Sequence, residues 1–227
     1  MGSDDFFKRK KEDKKERKRG SKEPKANSYL IVTEGTKTEP YYFDGLSNYI
    51  KNKFGGNVDV KTPKIIVDGQ GKCTVSLIEA TAKLVNRSHN IYEHIWVVFD
   101  KDDFEDFDEA IILAEKQGFE TAWSNQSFEY WIYLHFDYSD AALHRDDWYK
   151  KLNTIFKRSG INEKGYEKNL EDIFSILITN GSLKAAVSHA KRIETIHQKD
   201  KTPCQCDPCT KVHHLILQLT PFLKEIL

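Results

Sequence analysis

The feature that most constrains the fold of this chain is a run of five apolar residues, 95–99 (Ile-Trp-Val-Val-Phe), that stops abruptly at Asp100-Lys101-Asp102-Asp103. A short continuous apolar run rich in β-branched and aromatic side chains is typical of a strand buried on both faces. Such strands occur in parallel sheets covered by helices on both sides. The run therefore predicts an α/β fold with acidic residues at the end of a central strand.

Strand-like and helix-like patterns alternate from residue 29 to residue 123. Strands are expected at 29–32, 64–67, 95–99 and 119–123, and helices at 38–50, 74–85 and 107–117. Buried strands joined by helices are expected to be parallel. After residue 123 the pattern becomes helical, with helices expected at 128–135, 145–180, 182–197 and 212–227 and breaks at Gly160 and Gly165.

The composition divides the chain into three parts. Residues 1–27 form a basic arm, with nine basic and three acidic residues between Lys8 and Arg19, and we expect the arm to be disordered. It can be a solubilising tail, a segment that binds nucleic-acid phosphates or a segment that docks on a partner protein. Residues 28–136 are expected to form the α/β core, and residues 137–227 a mostly helical extension packed on it.

Bulk properties exclude some classes of protein. Lys and Arg together number 35, as do Asp and Glu, so the net charge indicates no partner. No apolar run is long enough to cross a bilayer, and no signal peptide is visible, so a cytoplasmic protein without a membrane partner is expected.

Acidic residues follow two of the expected strands. Glu34 comes after the first strand, and Asp100 and Asp102 come after the third. The carboxyl ends of parallel strands share one rim, where ligands bind. Carboxylates are the ligands that Mg²⁺ prefers, and Mn²⁺ accepts them too. In an extended chain Asp100 and Asp102 project to the same side, and Asp103 points elsewhere. The alternative is that these residues cap helices or face solvent.

Two stretches resemble the Toprim fold, which topoisomerases, bacterial primases and several nucleases share. They are residues 31–35 (Ile-Val-Thr-Glu-Gly) and 97–103 (Val-Val-Phe-Asp-Lys-Asp-Asp). Five blocks resemble the RloB-like family more closely: residues 34–43, 99–104, 124–136, 165–168 and 207–213. The resemblance covers nearly the whole chain from residue 8 onward.

The resemblance implies a function. RloB-like proteins are similar to the second component of the AbiL abortive-infection system and occur near defence genes. The implied role is antiphage defence, with an ATPase partner and metal-dependent cleavage of nucleic acid. The implied Mg²⁺ ligands are Asp100 and Asp102, with Asp103 as an extra ligand and Glu34 as a ligand or proton carrier.

Further residues near these carboxylates are candidates for binding substrate. Lys37 and Lys101 can bind substrate or stabilise the negative charge that develops on the phosphate, although either can also be a surface lysine. Glu39 can join the site or simply favour the helix dipole. The other candidates are Asn125, Ser127 and Glu129. For Asn125 and Ser127, the alternative is that they cap a helix. His135, between aromatic residues, is interpreted as a core histidine.

Two other motifs carry weaker signals. Cys204, Cys206 and Cys209 precede His213 with the spacing C-x-C-x₂-C-x₃-H, which is irregular for zinc, so the sequence argues against zinc there. The family block at that place usually reads Asn-Pro-Ser-Thr, which suggests that Cys209 replaces a serine in a turn. Residues 68–72 resemble a phosphate-binding loop but lack the Gly-Lys-Ser/Thr ending.

The first hypothesis is a Mg²⁺-dependent nuclease of a defence system. The alternative is a non-catalytic Toprim-like module that senses a signal or regulates an ATPase partner. Nucleotidyl transfer is disfavoured, because the chain shows no catalytic tyrosine domain and no zinc-ribbon companion. The sequence does not distinguish RNA from DNA as the substrate.

Overall fold

A computed structural model describes residues 25–62, 73–88, 90–197 and 201–227. Its centre is a five-stranded sheet with the order β2-β1-β3-β4-β5. The strands are β1 (Lys25–Thr33), β2 (Asp59–Lys61), β3 (Tyr92–Asp100), β4 (Glu120–Asn125) and β5 (Cys209–Thr210). The pairs β2–β1, β1–β3 and β3–β4 are parallel, and β5 is antiparallel to β4. The expected α/β class, with a mostly parallel sheet flanked by helices, is confirmed.

Helices cover the sheet and extend beyond it. They are α1 (Thr38–Phe54), α2 (Cys73–Arg87), α3 (Phe107–Lys116), α4 (Phe128–Tyr133), α5 (Arg145–Arg158), α6 (Ile173–Asn180), α7 (Leu183–Ile196), α8 (Val212–Gln218) and α9 (Thr220–Leu223). Short 3₁₀ turns lie at Gly55–Asn57 and Pro203–Gln205. None of the described helices is long and apolar enough to span a bilayer.

The central strands are buried because both faces of the sheet are covered. Val97, Val98 and Phe99 of β3 are completely buried, as the uninterrupted apolar run predicts. Phe99 contacts Phe107 of α3, and Phe107 contacts Trp123 of β4, with ring centroids 5.6 Å and 5.4 Å apart. This packing fixes the end of β3, from which the acidic residues follow.

The structure corrects several expected elements. Residues 145–180 are not one broken helix: α5 and α6 are separated by a non-helical segment at 159–172. The last expected helix is likewise divided into α8 and α9 at Leu219. No sequence pattern predicts β5, because a strand of two residues is too short to show alternation.

Some expectations fall on residues outside the described parts of the chain. They include the strand at 64–67, the loop at 68–72 and nearly all of the basic arm, since β1 already begins at Lys25. The domain boundaries at 27/28 and 136/137 stay a prediction.

The contact between α4 and α5 gives a test of how the C-terminal part is held. Trp148 of α5 is completely buried and lies 4.7 Å from the ring of Tyr130 and 5.1 Å from that of Tyr133. We expect Trp148→Ala to lower the free energy of unfolding by about 3–5 kcal/mol, because it leaves a large cavity. Chemical denaturation measures the change. The exposed Lys157→Ala on the same helix is the control, and equal stabilities of the two variants would contradict this packing.

Candidate functional site

Backbone hydrogen bonds hold the ends of three strands together beyond the regular ladder. The Glu34 N–H donates to Val98 O at 3.0 Å, and the Lys101 N–H donates to Ser124 O at 2.9 Å. The Asp102 N–H donates to the carbonyl of Gln126 at 3.0 Å. The loops that follow β1, β3 and β4 therefore meet at one rim of the sheet, as parallel strands require.

A cavity of about 410 Å³ lies at this rim. Its lining includes six carboxylates: Glu34, Glu39, Asp100, Asp102, Glu129 and Asp146. It also includes three basic side chains, Lys37, Arg145 and Lys168, and the hydroxyl residue Ser127. The structure therefore brings together most of the site residues expected from the sequence.

Asp100 is partly buried, and its two carboxylate oxygens differ in their hydrogen-bond partners. Its Oδ2 accepts a 2.9 Å hydrogen bond from the backbone N–H of Phe128, close to the start of α4. Its Oδ1 is buried and has no hydrogen-bond partner in the described part of the chain. Burial, together with the charges of Glu39 and Asp102, raises the pKa of Asp100 well above its usual range. A cation bound beside Asp100 would lower the free-energy cost of ionising its carboxyl group.

Glu34 and Glu39 are also held in unfavourable surroundings for a negative charge. Burial raises the pKa of Glu34 to about 7, although the Asp100 N–H lies 3.4 Å from its Oε2. Burial and the charge of Glu129 raise the pKa of Glu39 to about 7. The Glu39 carboxylate folds over Gly35, where an added Cβ would lie 2.2 Å from Oε2. Gly35 is thus required for this approach.

Asp102 reaches the cavity by a route that differs from the expected one. β3 ends at Asp100, and Asp102 adopts a left-handed backbone conformation with φ 41°. The expected extended alternation is therefore wrong, although both side chains line the cavity. Arg145 at the start of α5 pairs with Asp102 Oδ1 at 3.0 Å and with Asp103 Oδ2 at 3.1 Å. Asp103 is exposed and lies outside the lining.

Glu129 is buried, lines the same cavity and has two partners from the C-terminal part. Lys168 Nζ lies 3.1 Å from its Oε1, and the Tyr166 hydroxyl lies 3.4 Å from the same oxygen. Thr38 accompanies them, since its Oγ1 donates to the Lys168 carbonyl at 3.2 Å. Thr38 therefore does not cap α1 through its side chain, and the N-cap position belongs to Lys37.

Sequence reasoning assigned no role to Arg145, Tyr166 or Lys168. The last two lie in the block 165–168 that resembles the RloB-like family, and that block was the signal for them. Arg145 carried no signal, because a single arginine at the start of a helix is common.

Three residues that the sequence placed in or near the site behave differently. The Lys101 ammonium lies 3.4 Å from Asp102 O, and Lys101 does not line the cavity. The Asn125 amide donates to Cys204 O at 3.0 Å, away from the carboxylates. Ser127 does line the cavity, but its Oγ is buried without a partner in the described residues and makes no capping hydrogen bond. His135 lies in the core, with Nδ1 3.0 Å from Trp131 O.

The strand-end carboxylates are spread around the cavity. Within the described ranges, a set of three potential metal ligands whose atoms all lie within 4.8 Å of one another occurs at Glu194, His213 and His214, and not at Glu34, Asp100 and Asp102. The carboxylates that line the cavity, here called the acidic rim, thus form an open arrangement of oxygen donors. Arg145 partly neutralises their charge by pairing with Asp102.

Comparison with known proteins gives one match. The family model described as RloB-like protein matches residues 29–219, which is most of the chain and includes every residue of the acidic rim. No curated protein gives a significant match, and no solved structure does either.

The raised pKa of Glu34 predicts a pH dependence of stability. An acid whose pKa rises on folding from 4.5 to about 7 stabilises the fold below its ordinary pKa and loses that contribution as the pH passes about 7. We expect the free energy of unfolding, measured with EDTA, to fall between about pH 5 and about pH 8. Glu34→Gln should remove at most about 3 kcal/mol of this fall.

Chemical denaturation at both pH values checks this expectation, with Glu115→Gln on the exposed face of α3 as the control. If Glu34→Gln and the wild type lose the same free energy between the two pH values, the Glu34 assignment is wrong.

Proposed function

The chain belongs to the RloB-like family, and from this premise and its acidic cavity we propose that it is a divalent-metal-dependent nuclease that cleaves phosphodiester bonds in RNA or DNA. The observation that carries the proposal is the convergence of six carboxylates on one cavity at the carboxyl rim of a parallel sheet. Such a concentration of negative charge is costly unless a cation binds among them.

The donor atoms fit Mg²⁺ or Mn²⁺. All six acidic side chains offer carboxylate oxygens, and the buried Oδ1 of Asp100 has no hydrogen-bond partner in the described residues. Asp100 and Asp102 would hold the ion, and Glu34 would be either a third ligand or the group that transfers a proton. When bound, such an ion activates water and neutralises charge on a phosphate under attack.

The surrounding side chains suit a phosphodiester substrate. Lys37 is exposed at the mouth of the cavity, and Lys168 is half-exposed beside Glu129. Both place positive charge where a nucleic-acid backbone would enter. Glu34 has a pKa near neutral, which suits a group that transfers a proton at physiological pH. Glu39 and Glu129 would act as outer carboxylates, and Ser127 Oγ would hydrogen-bond to a phosphate oxygen or to the attacking water.

One observation favours a second candidate function. Arg145 already neutralises Asp102, and the ligand atoms of the rim are spread apart. The alternative is a Toprim-like module that binds a nucleic acid or nucleotide without cleaving it and regulates an ATPase partner. Such a module would not need the ligand atoms of the rim to lie closer together. Activity of the isolated chain distinguishes the two functions.

The wider biological role rests on the family resemblance. We propose that the sheet is a Toprim-like sheet and that the protein, like the AbiL second component, acts in bacterial antiphage defence in the cytoplasm. An ATPase encoded with it is the proposed partner. The likeness of residues 31–35 and 97–103 to the Toprim pattern supports the proposal of a Toprim-like sheet. The family match supports the proposal of a role in defence.

The nuclease proposal predicts a metal-dependent activity that needs the two aspartates. Purified protein is incubated with total tRNA, mRNA, and single- and double-stranded DNA, in Mg²⁺, Mn²⁺ or EDTA. We expect one class to be cleaved with metal only, and an Asp100→Asn, Asp102→Asn double variant to cleave at least about 100-fold more slowly. This panel also identifies the substrate.

The matched control is a Glu109→Gln, Glu115→Gln double variant, which removes two exposed carboxylates from α3. It should cleave like the wild type. Cleavage that persists in the aspartate variant or in EDTA would contradict the proposed site. Metal binding without any cleavage would favour the regulatory module.

The pair between Arg145 and Asp102 predicts a competition between the guanidinium and the metal. We expect Arg145→Ala to tighten Mn²⁺ binding about two- to fivefold, because a partly exposed ion pair of up to about 1 kcal/mol no longer competes for Asp102. Calorimetry measures the affinity. Arg158→Ala removes the same charge from the far end of α5 and should leave the affinity unchanged. Equal affinities of the two variants would show that Arg145 does not compete.

A further inference from the structure

A second cluster of potential metal ligands lies where the C-terminal helices meet the edge of the sheet. Glu194 is in the last turn of α7, and His213 and His214 are in the first turn of α8, directly after β5. The cavity beside Glu194 shares no lining residue with the acidic cavity described above. Within the described ranges, this cluster brings one ligand atom from each of three residues within 4.8 Å of one another.

Both imidazoles converge on one carboxylate oxygen. His213 Nε2 lies 3.0 Å from Glu194 Oε2, and His214 Nε2 lies 3.1 Å from the same oxygen. His213 is completely buried, whereas the His214 side chain is 46% exposed. The cluster therefore opens to solvent on the His214 side and is closed on the His213 side.

The hydrogen bonding of His213 decides which of its ring nitrogens faces Glu194. Its Nδ1 lies 3.0 Å from the carbonyl oxygen of Thr210, which can only accept, so Nδ1 carries a proton. Nε2 is therefore the nitrogen that is available to a ligand, and it faces Glu194 Oε2 at 3.0 Å.

A histidine whose far nitrogen donates to a backbone carbonyl is also the usual arrangement of a metal ligand. That hydrogen bond fixes the tautomer and directs the other nitrogen toward the ion. The Thr210 carbonyl has this role here, since it belongs to β5, which is paired with β4.

Lys211 neutralises the other side of Glu194. Its ammonium forms an ion pair with Oε1 and lies 5.7 Å from the centre of the Trp123 ring. His214 Nε2 also lies 3.2 Å from Oε1, so Lys211 and His214 share that oxygen, whereas Oε2 faces both histidines.

We propose that Glu194, His213 and His214 form a second metal site, which binds a zinc-type divalent transition ion through two imidazole nitrogens and one carboxylate oxygen. Two His and one Glu are an established ligand set for zinc, with water in the fourth position. The exposed His214 side leaves room for that water. The ion would join α7 to α8 and hold both against β4 and β5.

The neighbouring cysteines do not belong to this site. Cys206 and Cys209 line the adjoining cavity of about 750 Å³ together with Glu194 and Lys211. Neither thiol belongs to the group of ligand atoms at Glu194, His213 and His214 that lie within 4.8 Å of one another. The Cys206 thiol donates to the Thr202 carbonyl instead. Nitrogen and oxygen donors, and not sulfur, therefore make up the site.

The experiment uses the full chain, stripped of metal and titrated with Zn²⁺ in excess Mg²⁺ against a chromophoric chelator. We expect a single tight equivalent and at least about tenfold weaker binding in His214→Ala, whose partly exposed side chain can be removed without opening the core. Zn²⁺ should also raise the melting temperature of the wild type and not of His214→Ala.

Three control variants separate this site from the alternatives. His144→Ala removes a histidine of matching exposure from the start of α5 and should bind Zn²⁺ like the wild type. Cys206→Ser, and the Asp100→Asn, Asp102→Asn double variant, should also bind it like the wild type. The proposal is overturned if the wild type takes up no Zn²⁺, or if His214→Ala binds it like His144→Ala. Loss of Zn²⁺ in the cysteine or aspartate variants, but not in His214→Ala, would overturn it as well.

Discussion

The structure depends on how it accommodates negative charge at the carboxyl rim of its sheet. β1 and β3 are buried on both faces, so the residues that follow them emerge into an environment where ionised carboxylates are poorly solvated. Asp100 shows the consequence most clearly, since burial and its acidic neighbours raise its pKa well above the usual range. The N–H of Phe128 stabilises one oxygen of Asp100, and the other has no partner among the described residues. The described part of the protein therefore stabilises an ionised Asp100 only through one of its two oxygens.

The part of the chain after residue 136 supplies most of the compensation that exists. Arg145 comes from α5 and pairs with Asp102, and Lys168 comes from the non-helical segment 159–172 and pairs with Glu129. That segment bends at Gly165, whose φ is 92° and where a Cβ would lie 1.6 Å from Asn153 Oδ1. A glycine is required at such a position. The C-terminal part is thus a component of the rim and more than a cover for the core.

This division explains what the sequence could and could not predict. Short-range patterns were sufficient for β1, β3, β4 and the helices between them, and the rule that parallel strand ends share a rim placed Glu34, Asp100 and Asp102 together. The same reasoning failed for the turn at Asp102, because a left-handed conformation at a non-glycine residue leaves no pattern in the sequence. It could not find Arg145 or β5, since their roles depend on contacts between residues that are distant along the chain. The cluster around Glu194 was equally hidden, because Glu194 lies 19 residues before His213 in another helix.

The two clusters differ in the property that decides which ion each one suits. The acidic rim offers only oxygen donors, spread around an open cavity, with Arg145 and Lys168 already present as positive charges. A hard, hydrated cation fits such a rim, because it keeps several water molecules and needs only one or two direct carboxylates. The cluster of Glu194, His213 and His214 is compact and offers two nitrogens, which such a cation binds poorly and a borderline-soft ion binds well. In the two proposed metal sites, the hardness of the donor atoms alone would therefore allow independent loading, with an ion suited to phosphate chemistry at the rim and an ion that joins two helices at the cluster of Glu194, His213 and His214.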